Sequence, residues 1–189
     1  MRAINGFSRP LSCVAVVAGL MMLPGQAAAN LLSNAGFETG DFSGWTQIGN
    51  TGFSGVQCPG GVPEGNCDAF FGPIGSLGGI QQTIATQIGA MLNISFVFQP
   101  DGGSPSEFKV IFGGQTLLDL VNPGPSGFQT FNFTAQATGA STALSFEFRD
   151  DPGFLFLDNV SVVPEPGTLA LLGLGFAGIG WAKRRKLAR

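Results

Sequence analysis

The sequence predicts an all-β fold, an antiparallel β-sandwich or jelly roll, with one apolar segment at each end of the chain. Apolar and polar residues alternate through the middle of the chain, turn residues recur at intervals of about ten, and no amphipathic helix interrupts this pattern. The period of two predicts strands over residues 93–98, 108–112, 128–133, 144–148 and 154–163.

The positions of glycine and of aromatic residues agree with this fold. Gly113-Gly114 separates the strand at 108–112 from an apolar run at 115–121, which predicts a β-hairpin. Most of the 18 Phe residues fall at alternating positions, so they are predicted to form the core. Trp45 is predicted to be a core residue as well.

The N-terminus has the three parts of a secretory signal peptide over residues 1–29. Arg2 and Arg9 give a basic start, residues 11–23 are apolar, and Ala27-Ala28-Ala29 provides a site for signal peptidase. The mature chain is then expected to begin at Asn30. The alternative is a first transmembrane helix, but helix-breaking residues just before the Ala triplet favour cleavage.

The C-terminus, residues 164–189, has a different three-part organisation. Pro164-Glu165-Pro166 precedes an uncharged apolar run at 168–182, and a basic segment at 183–189 ends the chain. A helix over the apolar run would be about 22 Å long, shorter than a hydrocarbon core of about 30 Å. The basic end should stay in the cytoplasm. We expect a transmembrane helix in the inner membrane, with the body of the protein outside it.

This tail resembles the PEP-CTERM sorting signal, in its Val163–Thr168 motif, its Leu/Gly-rich segment and its Arg-rich end. The resemblance implies an exopolysaccharide-producing, Gram-negative bacterium. It also implies an exosortase, a transpeptidase-like membrane enzyme, that processes the tail near Pro164, Glu165 and Pro166. The membrane anchor would then be transient, and the mature protein would reach the cell surface or the extracellular space.

The segment between the two ends, residues 30–163, is long enough for one domain. It has two bases, Lys109 and Arg149, and eleven acids, hence a net charge of −9. Such a surface argues against nucleic-acid binding. The whole sequence contains no His and no Tyr, which excludes a Ser-His-Asp triad.

Carboxylates alone could still perform general acid–base chemistry. Asp150 and Asp151 are adjacent, however, and neighbours in an extended chain point to opposite sides, so they form a poor acid–base pair. A solvated turn before the last strand explains them better. We therefore expect no enzymatic activity.

The cysteines Cys58 and Cys67 flank a loop rich in Pro and Gly. An even pair in an exported chain indicates a disulfide. Metal binding is a weaker interpretation, because two thiolates without His rarely form a closed site.

The two ends of the domain resemble galactose-binding-like jelly rolls, which include several carbohydrate-binding modules. Residues 30–45 contain the opening pattern Asn-x-Gly-Phe-Glu followed by Trp, and residues 156–162 resemble the closing strand. Many members of that family hold a structural calcium ion with one carboxylate from each end. Glu38 and Asp158 stand at the matching positions, so the resemblance implies Ca²⁺ there. The alternative is that Glu38 caps a turn and Asp158 bonds to backbone amides.

Two functions are compatible with these features. The first is a structural or binding component of the cell surface or the exopolysaccharide matrix, and the second is a carbohydrate-binding module for a surface or matrix polysaccharide. Sugar binding needs exposed aromatic rings with polar groups beside them. The candidate platforms are Phe53, Phe70, Phe71 and Phe154, which are predicted to lie in loops. Exposed rings along one groove would favour sugar binding, and buried rings a structural role.

Overall fold

The computed structural model describes residues 29–61, 63–151 and 153–165, and these residues form a two-sheet sandwich of ten strands without a helix. The strands are β1 (Thr46–Gly49), β2 (Ser54–Gln57), β3 (Asp68–Phe71), β4 (Gly78–Ala85), β5 (Met91–Pro100), β6 (Ser106–Phe112), β7 (Gln115–Val121), β8 (Gln129–Gln136), β9 (Ser141–Asp150) and β10 (Leu155–Pro164). The predicted all-β fold is confirmed. Residues 1–28 of the predicted signal peptide, the predicted transmembrane segment at 168–182 and the basic end at 183–189 lie outside the described residues.

Each sheet contains five strands, and every strand pair is antiparallel. Sheet 1 has the order β1-β4-β9-β6-β7, and sheet 2 has the order β2-β3-β10-β5-β8. The last strand, β10, is central in sheet 2. The described residues contain no helix that is long and apolar enough to cross a membrane.

The core consists of the inward-facing side chains of both sheets. Eight Phe side chains are almost completely buried: Phe37, Phe71, Phe96, Phe98, Phe108, Phe112, Phe146 and Phe148. Phe98 of β5 stacks on Phe108 of β6 with ring centroids 3.9 Å apart, so sheet 2 contacts sheet 1 there. Each buried Phe stabilises the fold by about 1.5–3 kcal/mol through removal of apolar surface from water. Trp45 is 7% exposed, which confirms it as a core residue.

The predicted strands correspond to β5, β6, β8, β9 and β10, and the predicted hairpin joins β6 to β7. Gly113 and Gly114 both have positive φ angles, 57° and 83°, which match the tight turn that the Gly-Gly pair predicts. The strands β1 to β4 were not predicted. The four-residue lengths of β1, β2 and β3 give too few alternating positions for a pattern to stand out, and in β4 the adjacent polar residues Gln81 and Gln82 interrupt the alternation.

Candidate functional site

A group of carboxylates lies where the N-terminal segment meets β3 and β10. Asp158 in β10 is 0% exposed and Asp68 at the start of β3 is 1% exposed. One oxygen of each, Asp158 Oδ2 and Asp68 Oδ1, is buried without a hydrogen-bond partner. Buried carboxylate oxygens without partners are costly while the carboxylates are ionised.

A β-bulge follows Asp158 in β10. Along β10 the pairing with β5 passes from Asp158↔Val97 to Ser161↔Ser95, so β10 contains one extra residue. Asn159 lies in the bulge and has a positive φ angle of 48°. Its backbone N–H donates a hydrogen bond to Asp158 Oδ1 at 2.6 Å. Asp158 itself follows inward-facing Leu157 in regular register, so alternation places it on the side of β10 away from the apolar core. The bulge after it returns Val160 and Val162 to the core.

Glu38 and the disulfide loop form the other side of the group. Cys58 and Cys67 are bonded, which confirms the predicted disulfide. Glu38 Oε1 accepts hydrogen bonds from the backbone N–H groups of Asn66 (2.9 Å) and Cys67 (3.0 Å). Glu38 therefore fastens the loop to the N-terminal segment, as expected for a side chain that caps a turn.

Glu64, Asp158 and Glu38 lie around Gly36. A Cβ at Gly36 would stand 2.7 Å from Glu64 Oε2, 3.8 Å from Asp158 Oδ1 and 3.8 Å from Glu38 Cγ. Glu38 and Asp158, the two residues that the sequence singled out, are thus neighbours of one backbone position, although Glu38 Oε1 is directed to the loop amides. The structure adds Glu64, which the sequence analysis missed, although its place inside the disulfide loop was a usable signal.

The electrostatics of the group follow from burial. Burial is the main cause that raises the pKa of Asp158 to about 7. The negative charges of Glu64 and Asp68 also raise this pKa, whereas the hydrogen bond from the Asn159 amide lowers it. Burial also raises the pKa of Asp68. A cation would relieve both effects. Within the described ranges, however, no three Asp, Glu, Cys or His side chains are arranged to hold a metal ion, so carbonyl oxygens or water would have to complete a coordination shell.

A polar groove lies on the outer face of sheet 2, along β5 and β8. The groove has a volume of about 370 Å³. It is lined by Asn93, Ile94, Ser95, Asn132, Phe133, Thr134 and Val163. Asn93 is paired with Thr134 and Ser95 with Asn132, so two amides and two hydroxyls form a compact square of hydrogen-bonding groups. Thr134 Oγ1 donates to Asn93 Oδ1 at 3.0 Å, which orients that amide.

Aromatic rings lie at one end of the same face. Phe70 of β3 is paired with Phe156 of β10, and both are partly exposed. Phe154 is 38% exposed and meets Phe70 edge-on at 5.5 Å. These three rings, together called the aromatic patch, offer apolar surface next to the polar strands. Phe53, another predicted platform, is 65% exposed in the loop before β2.

The prediction that Phe71 is an exposed ring in a loop is wrong. Phe71 is the last residue of β3, is 0% exposed and stacks on Phe148 of β9. The period of two explains the difference: Phe70 and Phe71 are neighbours in one strand, so their rings point to opposite faces. Phe70 was also expected in a loop, but it lies in β3.

Asp150 and Asp151 point in opposite directions, as predicted, but only Asp151 belongs to a solvated turn. Asp151 forms a bidentate pair with Arg149, with both distances 2.8 Å, and this pair lowers the pKa of Asp151 to about 2. Asp150 is 1% exposed, so the expectation of a solvated side chain is wrong for it. Burial and the adjacent charge of Asp101 raise the pKa of Asp150 to about 6. Asp150 is absent from the lining of the polar groove.

Comparison with known proteins agrees with both the tail and the fold. The family described as PEP-CTERM protein-sorting motif matches residues 162–186, so the chain carries that motif. No curated protein matches the chain in sequence.

Several solved structures have the same fold as the sandwich. TmCBM61, solved in complex with beta-1,4-galactotriose, has a TM-score of 0.60 and 18% identity, and the match covers 73% of this chain and 100% of that one. The CBM22-1 xylan-binding domain of Paenibacillus barcinonensis Xyn10C has a TM-score of 0.52 and 20% identity, with 73% and 96% covered.

An enzyme also contains this fold. The enzymatically active domain of bacteriophage CBA120 tailspike protein 4 has a TM-score of 0.54 and 14% identity, with 71% of this chain and 21% of that chain covered. At these identities the likeness concerns the fold alone. The sandwich therefore has the jelly-roll fold of carbohydrate-binding modules, and its function must be argued from its own residues.

Proposed function

We propose that this chain is an exported, non-catalytic protein that an exosortase processes, and that its sandwich binds a neutral polysaccharide on the outer face of sheet 2. The observation that carries the binding proposal is the polar groove of about 370 Å³, where Asn93, Ser95, Asn132 and Thr134 present amides and hydroxyls side by side. Amides donate and accept hydrogen bonds at once, which suits the hydroxyl groups of a sugar.

The polar groove of sheet 2 and the outer face of sheet 1 differ in charge, and this difference favours the groove. The outer face of sheet 1 carries Glu107, Lys109 and Glu147, with Asp119 on the neighbouring strand. No Asp, Glu, Lys or Arg lines the polar groove of sheet 2. A neutral glycan loses less hydration energy against such a surface than a charged ligand would, so a neutral polysaccharide is the best match.

The aromatic patch supplies the second element of sugar recognition. Phe70 and Phe154 are partly exposed on the side of sheet 2 that bears the groove. A Phe ring gives a sugar face apolar contact but no hydrogen bond. We therefore expect weaker binding than a Trp or Tyr platform would give, with the amides providing orientation.

The sorting motif supports the location in this proposal. A PEP-CTERM motif at 162–186 implies export and processing at the C-terminus. The predicted signal peptide at residues 1–29 would direct the chain across the inner membrane. The proposed destination of the mature protein is the cell surface or the exopolysaccharide matrix.

A purely structural role in the matrix is the second candidate function. Most aromatic rings are buried in the core, and the exposed rings form a small patch rather than a row along the groove. This observation favours a structural role. A polysaccharide pull-down separates the two functions. The carbohydrate-binding function is supported if the protein binds and Phe70→Ala weakens the binding. Ile88→Ala is the control and should leave the binding unchanged, because Ile88 is an exposed apolar residue in the loop between β4 and β5. Absence of binding to any neutral polysaccharide favours the structural role.

We also propose a structural calcium ion between the N-terminal segment and β10. Asp158 and Glu38 would hold it, with Glu64 beside them, since all three residues lie next to Gly36. The ion would neutralise buried charge and join the two ends of the domain. Calcium titration of chelator-treated protein by calorimetry tests this, because heat of binding and a higher melting temperature are expected. No heat and an unchanged melting temperature would contradict it.

A further inference from the structure

The sorting motif and the last strand of the sandwich overlap in sequence. The motif match begins at residue 162, whereas β10 continues to Pro164. Val162, Val163 and Pro164 are paired with Ile94, Asn93 and Leu92 of β5. The backbone N–H of Glu165 then donates to the carbonyl oxygen of Met91 at 3.0 Å. The first residues of the motif are thus part of the folded sheet, with no linker between them.

The other edge of β10 is covered in the same region. β3 pairs only with Leu155–Leu157, and beyond that point the N-terminal segment takes the place of a strand. The backbone N–H of Leu31 donates to the Val162 carbonyl oxygen at 2.9 Å, and that of Val160 donates to the Ala35 carbonyl oxygen at 3.0 Å. The Val162 side chain is 0% exposed and belongs to the core.

Asn30 holds this edge with its side chain. Its Nδ2 donates to the Val160 carbonyl oxygen at 2.9 Å, and its Oδ1 accepts from the Val162 N–H at 2.9 Å. The Asn30 amide therefore bonds to the Val160 carbonyl oxygen and to the Val162 N–H, the two groups that a neighbouring strand would otherwise pair. Asn30 is also the predicted first residue of the mature chain, 132 positions from Val162.

Enzymes that process a peptide commonly bind it in an extended form through its free backbone groups. The N–H and C=O of Val162 both bond to the N-terminal segment, and the opposite edge of β10 is paired with β5, so this part of β10 has no free edge to offer. We infer that β10 withholds the start of the sorting motif from the exosortase, and that Asn30 and β5 together form a latch that must open before processing. This inference rests on the proposed processing of the tail. Local opening of a strand end has a free-energy cost below that of global unfolding.

The latch predicts how variants of the full chain are processed in a host that produces the exosortase. Asn30→Ala removes three hydrogen bonds, two of them to β10. Processing should then be roughly fivefold faster, because each lost bond lowers the cost of opening. Asn34→Ala is the matched control: Asn34 lies in the same segment and its side chain also makes three hydrogen bonds, none of them to β10. Equal acceleration by both variants would mean general instability and would overturn the latch.

Two further variants test the latch, one by opening it and one by locking it. A Gly-Ser-Gly-Ser insertion between Val163 and Pro164 separates Pro164-Glu165-Pro166 from the sheet, so it should also accelerate processing. Asn93→Cys combined with Val163→Cys places thiols at directly paired positions of β5 and β10. The oxidised pair should stop processing, with each single variant as its control. Normal processing of the cross-linked chain contradicts the latch. If the wild type and every variant remain unprocessed, the proposed sorting function fails, and the latch fails with it.

Discussion

Phe71 of β3 stacks on Phe148 of β9 with ring centroids 3.8 Å apart and ring planes within 2° of parallel. This contact joins sheet 2 to sheet 1. It also separates Phe71 from its neighbour Phe70, whose ring lies on the outside of the same strand. Adjacent residues thus have different roles, one in stability and one on the proposed binding surface.

Substitution of Phe71 should destabilise the domain strongly. Phe71→Ala leaves a cavity between the sheets and is expected to lower the free energy of unfolding by about 3–5 kcal/mol. Phe70→Ala should cost far less, because that ring is partly exposed. Chemical denaturation of both variants measures the difference. Equal losses would contradict the placement of the two rings.

The disulfide loop should couple stability to calcium binding. Cys58→Ser combined with Cys67→Ser is expected to lower the free energy of unfolding by about 2–3 kcal/mol, as the chain-entropy estimate for a short loop gives. The loop also supplies Glu64 and the two N–H groups that bind Glu38. The calcium-induced rise in melting temperature should therefore shrink in this variant. A rise equal to that of the wild type would show that the loop has no part in the site.

Asp158→Asn should change stability in opposite directions with and without calcium. In chelator at pH 8 the variant removes a buried carboxylate whose pKa is raised to about 7, so the melting temperature should stay equal or increase. In saturating calcium the wild type should be the more stable protein, because it has a ligand that the variant lacks. A melting temperature that responds equally to calcium in both proteins would exclude Asp158 as a ligand.

Asp150 should make the domain less stable as pH rises. Burial, together with the nearby charge of Asp101, raises its pKa from 3.8 to about 6. The folded protein then binds more protons than the unfolded chain between these values, so the free energy of unfolding falls as pH increases through this window. Asp150→Asn should flatten that part of the pH profile, measured in chelator.

Asp151→Asn provides the control of opposite sign. The Arg149 pair lowers the pKa of Asp151 to about 2, so this carboxylate stabilises the fold above its unfolded pKa and loses that effect as pH falls. The variant should therefore be less stable than the wild type at neutral pH, and the difference should vanish in acid. The same pH response for both variants would contradict the assignment of Asp150 as the buried member of the two.

The sequence predicted five strands, β5, β6, β8, β9 and β10, and the hairpin, because a period of two persists over enough residues there. The same period held information that the sequence analysis did not use. Leu144, Phe146, Phe148 and Asp150 are every second residue of β9, so the alternation of the strand predicts that Asp150 points inward as well. In β10 the apolar positions shift from odd numbers, Leu155 and Leu157, to even numbers, and this shift marks the bulge at Asp158.

Other features depend on contacts between distant segments and could not be predicted from local pattern. The polar groove requires β5 and β8 to be neighbours, although β8 begins 29 positions after the end of β5. The meeting of Glu38 with Asp158 was implied only by resemblance to a family. The pairing of Asn30 with β10 joins the two ends of the domain, and no periodicity signals it.

Affinity electrophoresis through gels that contain neutral polysaccharides is the most direct test of the proposed binding function. The wild type should be retarded by at least one neutral polysaccharide, and Asn93→Ala combined with Asn132→Ala should abolish the retardation. Thr83→Ala, an exposed position on the outer face of sheet 1, should leave it unchanged. Absence of retardation by every neutral polysaccharide, or retardation that the groove substitutions do not alter, would contradict the proposal.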